Sequence, residues 1–244
     1  MDAIIPNWLA PSNVRALTTT RFGGVSQAPF DSFNLGDHVG DEKTAVKNNR
    51  GLLARAFNLP NEPVFLNQTH STTVLHLPYQ GDHLNADAVY TSQRQQVCLV
   101  MTADCLPVLF TNRQGDEVAA AHAGWRGLCD SILEETLTHF NCPSHEIMVW
   151  LGPAIGPTAF QVGEDVIEQF VARDPQAKQA FVSDPQMKGK FLGNLYQIAR
   201  QRLNNCGVTD ITGGEYCTFS QPERFFSYRR DGKTGRMASL IWFE

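Results

Sequence analysis

The sequence predicts an α+β fold in which clustered strands are covered by a few amphipathic helices. Short runs rich in β-branched and aromatic residues recur along the 244 residues and are bounded by turn residues, as is typical of strands. Helical periodicity appears in four places, but helices and strands do not alternate one by one. This order favours a layered fold over a doubly wound parallel sheet. Because no segment has the composition of a linker, we expect a single domain over residues 1–244.

The elements follow from these patterns in chain order. Strands are predicted over residues 14–20, 64–68, 72–77, 86–90, 97–101, 107–111, 117–122, 147–151, 216–219 and 237–243. Helices are predicted over residues 41–58, 128–140, 166–171 and 195–206. We expect Asp41 to cap the first helix and Gly207 to end the fourth, because these residue types favour those positions.

Composition excludes several classes of protein. With 20 basic and 25 acidic residues the formal net charge is −5, so no nucleic-acid partner is expected. No apolar run is long enough to span a membrane, and the N-terminal segment lacks the basic start of a signal peptide and is broken by Pro6 and Pro11. The six cysteines are irregularly spaced and form no C-x-x-C pair. We therefore expect reduced thiols in a cytoplasmic protein without a membrane partner.

Three potential metal ligands each follow an apolar strand at the start of a loop. They are His70, Cys105 and His122. Two imidazoles and a thiolate suit Zn²⁺ and leave a fourth position open, as in catalytic sites. The spacing matches no zinc finger, so the residues alone leave a second interpretation open, in which a core cysteine and two hydrogen-bonded histidines bind no metal. Gly124 and Gly127 near His122 favour close approach of a ligand or of another backbone segment.

Several polar residues are candidates for substrate contacts. Arg50 interrupts an apolar stripe of the first predicted helix, where it either extends its stem along that stripe or binds an anion. Arg21 and Asn34 lie in turn-rich polar segments near the N-terminus. Asp104 adjoins Cys105 and is expected to orient a histidine or to bond a ribose hydroxyl.

The segment between residues 224 and 233 combines cations with aromatic side chains. Such a combination could stack a base and hold a phosphate, and Arg229 is our candidate for that contact. The same residues also predict a hairpin, whose solvated turn at Asp231 and Gly232 would carry Arg230 and Lys233.

Taken together, these residues resemble the YfiH family, the bacterial relatives of the laccase-domain proteins. The resemblance spans nearly the whole chain, and its two most specific motifs are MTADCLPVLF and HAGWRG. The other matching segments are TTTRFGGVS, FNLGDHVGD, NNR, LNQTHS, ADAVYT, LGPAIGP, FQVGEDV and FFSYRRDGKTGRMASLIW.

The resemblance implies an α/β/β/α sandwich related to toxin deamidases with a Cys–His site. It also implies a zinc site at His70, Cys105 and His122, and activity on purine nucleosides. The implied reactions are phosphorolysis of adenosine, inosine, guanosine and methylthioadenosine, and deamination of adenosine, with a link to the editing of peptidoglycan precursors. An older label for this family, multicopper oxidase, fits poorly, because the seven histidines include no His-x-His pair. Zinc is therefore expected rather than copper.

For catalysis we expect His70, Cys105, His122 and Asp104 to act on purine nucleosides and phosphate, with Arg50 and Arg229 holding the phosphate. Two alternatives remain. In one, the chain is a metal-free cysteine hydrolase or amidase of a peptidoglycan precursor, with Cys105 as nucleophile and His122 or His70 as base. In the other, it is a binding partner in cell-wall maintenance. The sequence does not fix the oligomeric state, and we favour a monomer.

Overall fold

The computed structural model of this chain describes residues 2–244. Its strands are β1 (Ala3–Ile4), β2 (Val14–Thr19), β3 (Val74–His76), β4 (Ala88–Thr91), β5 (Cys98–Thr102), β6 (Leu106–Asn112), β7 (Val118–Ala123), β8 (Ile147–Leu151), β9 (Gln161–Val162), β10 (Phe181–Ser183), β11 (Phe191–Gly193), β12 (Asp210–Gly213) and β13 (Met237–Phe243). Its helices are α1 (Lys43–Ala56), α2 (Trp125–Cys129), α3 (Ile132–Thr138), α4 (Glu164–Arg173), α5 (Leu195–Asn205) and α6 (Tyr228–Asp231). None of the helices within residues 2–244 has both the length and the hydropathy of a transmembrane span.

Two sheets pack face to face at the centre of the fold. The smaller has the strand order β1-β2-β13-β5 and is antiparallel throughout. The larger has the order β12-β8-β6-β7-β4-β3, with parallel pairs at its two ends and antiparallel pairs between them. A short antiparallel sheet, β10-β11-β9, lies apart from both in hydrogen bonding.

The alternation of side chains along the strands builds three apolar layers. In β5, Cys98 and Val100 face the larger sheet, while Leu99 and Met101 pack beneath α1. In β7, Ala120 joins the layer between the sheets, and its neighbours join the layer under α2, α3, α4 and α5. Both faces of β5 and β7 are thus buried, which is why these two strands have nearly continuous apolar sequences. The layers confirm the predicted α+β sandwich of the α/β/β/α type.

Two of the predicted strands do not form. Residues 64–68 contribute a single bridge, between Asn67 and Asn85. The reason is Gln68, whose side-chain amide accepts from the backbone N of Met101 and donates to its carbonyl, both at 2.7 Å. This amide pairs with the edge of β5 as a neighbouring strand would. Residues 216–219 likewise contribute one bridge, at Cys217. Conversely, β12 was not predicted, because its sequence, Asp-Ile-Thr-Gly, has little apolar content.

The helix boundaries also differ from the expected ones. The second predicted helix is broken into α2 and α3 at Ser131, whose φ is 80°. Asp41 does not cap α1, since the capping position is Glu42. The Asp41 carboxylate instead accepts from Ser26 Oγ at 2.6 Å and from Asn34 Nδ2 at 2.9 Å, which ties the N-terminal loops together.

The hairpin predicted near the C-terminus is wrong. Residues 228–231 form α6, which is capped by the Ser227 side chain accepting from the backbone N of Arg230. The Arg230 guanidinium donates to the carbonyls of Thr218, Phe219 and Phe225, so it holds neighbouring backbone rather than lying in a solvated turn. Lys233 follows α6 and is exposed.

Candidate metal centre

Strand pairing brings the three potential metal ligands together. In the register of β6 and β7, Leu106 lies opposite Ala123, so Cys105 and His122 approach each other across the pair. The ring of His70 lies edge-on to that of His122, with 4.8 Å between ring centroids. The Sγ of Cys105 is 3.7 Å from Nε2 of His70, and the ligand atoms of all three residues lie within 4.8 Å of one another.

Gly124 allows this close approach. A Cβ built at this position would lie 2.5 Å from Cδ2 of His70 and 3.0 Å from Sγ of Cys105. Real Cβ atoms do not tolerate such contacts with ring and sulfur atoms that are themselves held in place. The backbone after β7 therefore closes one side of the ligand group, and only glycine leaves it intact.

The donor set fits a zinc ion. Around zinc, a sulfur at about 2.3 Å and a nitrogen at about 2.0 Å would be about 3.5 Å apart at the tetrahedral angle. The separation between Cys105 and His70 is 3.7 Å. Three protein ligands of these types leave one coordination position for water or substrate, as in catalytic zinc sites. The group can therefore hold a metal, and its chemistry is compatible with zinc.

Asp87 organises the group, although the sequence did not predict it as a site residue. Its buried carboxylate accepts from the backbone N of His70 at 2.9 Å and of Ser71 at 2.6 Å, and it lies 2.8 Å from Nδ1 of His122. Since an ionised carboxylate only accepts, Nδ1 of His122 carries a proton, and Nε2 is the nitrogen that would bind a metal. The signal in the sequence was an acidic residue inside an otherwise apolar strand, Ala86-Asp-Ala-Val.

The electrostatics of the site favour an ionised thiol. Burial on its own would raise the pKa of Cys105, but the charge of His122 and hydrogen bonds from His122 and His70 lower it to about 6. Burial on its own would lower the pKa of His122, but Cys105 and Asp87 raise it to about 9. Burial also opposes ionisation of Asp87, and hydrogen bonds from His122 and Ser71 lower its pKa to about 2. A thiolate is the form that binds metals and that acts as a nucleophile.

A cavity of about 500 Å³ opens over the three ligands. This volume suits a small organic molecule. Its apolar walls include Met101, Trp125, Ile155, Phe160 and Leu195. Its polar and charged walls include Gln68, Asp104, Arg126, Tyr228, Arg229 and Arg236.

Asp104 lies at the cavity but does not orient a histidine. Its carboxylate accepts from Thr218 Oγ1 and from the backbone N of Arg229, both at 2.6 Å, and thereby anchors the start of α6. Its φ of 93° turns the chain between β5 and Cys105. Asp87 performs the orienting role, so that part of the prediction for Asp104 is wrong. A contact with a ribose hydroxyl stays a prediction.

Of the four predicted substrate contacts, the structure brings Arg229 into the cavity wall, where its Nη1 donates to the carbonyl of Gln161 at 2.9 Å. Arg21 instead bonds the carbonyl of Pro222 and pairs with Asp31, away from the cavity. Asn34 is fully buried. Both Arg21 and Asn34 bond backbone groups and are not among the residues that line the cavity, and their contact with substrate stays a prediction.

Arg50 lies in a different groove. Its guanidinium stacks on Phe65 with 3.7 Å between Cζ and the ring centroid, its Nε donates to the carbonyl of Leu35, and it pairs with Asp37 at 3.5 Å. Burial lowers its pKa. The groove that it borders also contains Lys43 and Lys47 and does not include the three metal ligands. The structure therefore does not bring Arg50 to the three metal ligands, and its phosphate contact stays a prediction.

Comparison with known proteins extends over the whole chain. A family model described as multi-copper polyphenol oxidoreductase laccase matches residues 15–244. A relative from Haemophilus influenzae, named purine nucleoside phosphorylase, is 65% identical over 244 residues, with 100% of each chain covered. A relative from Escherichia coli K12, named purine nucleoside phosphorylase YfiH, is 54% identical over 242 residues with 98% of each chain covered. The crystal structure of Neisseria meningitidis protein NMB0706 superimposes with a TM-score of 0.95 at 48% identity, with 100% of both chains covered.

Proposed function

This chain belongs to the YfiH family, the laccase-like family matched above, and from that membership we propose that it is a zinc-dependent purine nucleoside enzyme. The homologues' names support a nucleoside phosphorylase type of function for it. One structural observation carries the proposal: a His₂Cys ligand group forms the floor of a cavity of about 500 Å³ with apolar and cationic walls. Apolar walls with a few placed polar groups suit a purine nucleoside.

The proposed reactions are phosphorolysis of adenosine, inosine, guanosine and methylthioadenosine, and deamination of adenosine. In phosphorolysis an oxygen of orthophosphate forms a bond to C1′ of the ribose, and the bond from C1′ to the base breaks. The base takes the electron pair and a proton, and ribose 1-phosphate is released. In deamination water replaces the amino group at C6, and ammonia leaves.

The side chains of the cavity would divide these tasks. Phe160 and Tyr228 offer ring surfaces against which a purine would pack. Asp104 would bond the ribose hydroxyls, and Arg229, whose backbone N donates to this carboxylate, would help to hold the phosphate. Cys105, His70 and His122 would hold the zinc ion, which when bound supplies Lewis-acid activation of an oxygen. Copper fits less well, since residues 2–244 offer this one cluster of three ligands, whereas a multicopper enzyme needs several centres.

A second function is favoured by the order Asp87, His122, Cys105. This is the arrangement of a cysteine hydrolase, in which a carboxylate orients a histidine beside an ionised thiol. Cys105 would attack an amide carbonyl, and His122 would give its proton to the leaving amine. A peptidoglycan precursor is the substrate class for this alternative. A Cys105 variant that folds and still supports the cell wall would assign the wall role to contacts with a partner protein instead.

One experiment separates these functions. The purified chain is incubated with adenosine and phosphate, and adenine, inosine, hypoxanthine and ribose 1-phosphate are separated and measured, with zinc quantified in the same sample. We expect one zinc per chain and phosphate-dependent release of ribose 1-phosphate. A zinc-free protein that turns over no nucleoside and is inactivated as an amidase by stoichiometric alkylation of Cys105 would replace the first function with the second.

We further propose that residues 1–244 work as one domain, in the cytoplasm and as a monomer. All six cysteines are free, which is typical of proteins in a reducing compartment. Sedimentation of the purified chain at micromolar concentration checks the monomer, for which a single species near 27.1 kDa is expected.

A further inference from the structure

Arg236 lies at the cavity wall directly before β13. In the register of the smaller sheet, Met237 pairs with Thr102 at the end of β5. Arg236 therefore lies beside the turn that leads from β5 to Asp104 and Cys105. The negative charges of these two residues act on its guanidinium, although burial is the larger influence and lowers the pKa of Arg236.

The guanidinium of Arg236 has one side bound and one side free. Its Nη1 donates to the carbonyls of Thr234 and Gly235, both at 3.0 Å. Its Nε and Nη2 donate to no acceptor within residues 2–244, and neither is sealed from solvent. These two N–H groups lie along one edge of the planar group, the geometry that binds an oxyanion through two parallel hydrogen bonds.

The cavity is cationic although the chain as a whole is acidic. Among the described residues, no carboxylate forms an ion pair with Arg126, Arg229 or Arg236, the three arginines of the cavity wall. The carboxylate of Asp104 already accepts from Thr218 and from the backbone of Arg229. In a chain of net charge −5, these three arginines without a carboxylate partner favour a ligand with negative charge.

The position of Arg236 is fixed by the N-terminal loops. Oδ1 of the buried Asn34 accepts from the backbone N of Arg236 and from that of Gly36, both at 2.9 Å. A Cβ at Gly36 would lie 2.8 Å from Cγ of Arg236, so the arginine stem packs directly on this glycine. Asn34 and Gly36 thus position the free edge of the guanidinium, which gives Asn34 a role without substrate contact.

We propose that the Nε–Nη2 edge of Arg236 binds the orthophosphate that attacks the nucleoside. This inference rests on the function proposed above, in which phosphate is the second substrate. Nucleosides carry no charge that would neutralise the arginine, whereas orthophosphate offers two oxygens to the free edge. A phosphate or carboxylate group carried on a larger substrate would offer the same oxygens to the arginine. Measurement of the KM for phosphate and of the KM for inosine distinguishes free orthophosphate from such a group.

The test compares Arg236→Gln, Arg236→Lys and, as a control of equal charge change, Arg55→Gln on the exposed side of α1. Initial rates of inosine phosphorolysis are measured against phosphate at saturating inosine, and against inosine at saturating phosphate. Binding of phosphate is measured separately from the ³¹P NMR line width, which needs no turnover. Circular dichroism and thermal unfolding establish that each variant folds.

In Arg236→Gln we expect the KM for phosphate to rise roughly tenfold or more, since two charge-assisted hydrogen bonds are lost. The KM for inosine should change less than about threefold. The protein should also no longer broaden the ³¹P NMR line of phosphate. Arg236→Lys, which keeps the charge and loses the two-pronged edge, should lie between the parent and Arg236→Gln. Arg55→Gln should match the parent in every measurement.

Each other outcome decides against one proposal. An unchanged KM for phosphate with normal turnover overturns the role of Arg236 and leaves the proposed function standing. A rise confined to the KM for inosine also overturns it, because the arginine then binds a group of the nucleoside. Where the parent does not turn over nucleosides, the proposed function fails. In that case the ³¹P line width alone tests the anion site. If Arg236→Gln no longer binds phosphate, Arg236 is still an anion-binding residue. If the variant binds phosphate like the parent, it is not. If Arg236→Gln does not fold, Arg236→Lys is judged by the same readings.

Discussion

Nδ1 of His122 lies 2.8 Å from Oδ1 of Asp87, and the same carboxylate accepts from the backbone N of His70 at 2.9 Å. One buried side chain therefore orients two of the three potential metal ligands. Its carboxylate orients the ring of His122 through a hydrogen bond to the side chain. It fixes His70 through a hydrogen bond from the backbone N of that residue, whose φ is 62°. The ligand group depends on Asp87 as much as on its own members.

We expect Asp87→Asn to weaken zinc binding by about 10–100-fold, because the amide no longer fixes the tautomer of His122. Competition with a chromophoric chelator measures this affinity. The exposed Asp82, changed to Asn, is the matched control and should bind zinc like the parent. Parental zinc affinity in Asp87→Asn would mean that the ligands are held without this carboxylate.

Gly124→Ala should lose zinc while the chain stays folded. The new Cβ would lie 2.5 Å from Cδ2 of His70 and would push the ring away from Cys105. Gly51→Ala in α1 is the control, since its Cβ would meet only Arg55 at 3.4 Å. That change should leave zinc content intact and stabilise the helix by up to about 1 kcal/mol. Zinc content by elemental analysis and unfolding in urea provide the two readouts, and full zinc retention in Gly124→Ala would contradict the steric argument.

Cys105→Ala should abolish both zinc retention and nucleoside turnover. The thiolate is the strongest donor of the three, and two histidines alone form a weaker and less closed zinc site. Cys206→Ala, a partly buried cysteine at the end of α5, should retain both properties. The measurements are zinc per chain and the rate of hypoxanthine release from inosine. A Cys105 variant that cleaves inosine at the parental rate would refute the zinc mechanism.

Acid should destabilise the chain through a second pair of histidines. Nε2 of His76 lies 2.7 Å from Nδ1 of His139, and burial together with the charge of His139 lowers the pKa of His76 below 6.5. As the pH falls through 6.5, the unfolded chain takes up a proton before the folded chain does, so folding loses free energy. The ring is largely exposed, which limits the effect to less than about 1 kcal/mol.

Replacement of His76 by Gln removes this proton uptake. The difference in free energy of unfolding between pH 7.5 and pH 5.5, measured in urea, should therefore be smaller in His76→Gln than in the parent. The exposed His83, changed to Gln, is the matched control. An equal pH dependence in His76→Gln and the parent would assign the acid sensitivity to other groups.

The sequence predicted the layered fold because strands buried on both faces have a recognisable apolar pattern, as in β5 and β7. The approach of His70 to Cys105 could not be derived from spacing, because it depends on the turn at Gly124 and on Asp87. Asp87 itself was hidden inside a predicted strand. Its partners are distant in the chain, with 35 residues separating it from His122.

The arginines show the same limit. Arg50 interrupts an apolar helix face, as an anion-binding residue would, yet its neighbour is Phe65 from a separate loop. Arg236 gave no local signal, because its importance depends on two carbonyls that bind one side of its guanidinium. Gln68 imitates a strand with its side chain, which no periodicity would reveal. Local patterns therefore identified the layers, whereas contacts between distant segments decided the site.

The strand order β1-β2-β13-β5 has a consequence for how the protein is made. β13 lies between β2 and β5, although it is synthesised more than a hundred residues after either of them. While the chain emerges from the ribosome, β2 and β5 each have an unpaired edge, and such edges invite association with other chains. Arg236 reaches the cavity only when β13 is inserted, so the nascent chain should have no complete cavity until translation of β13 is finished.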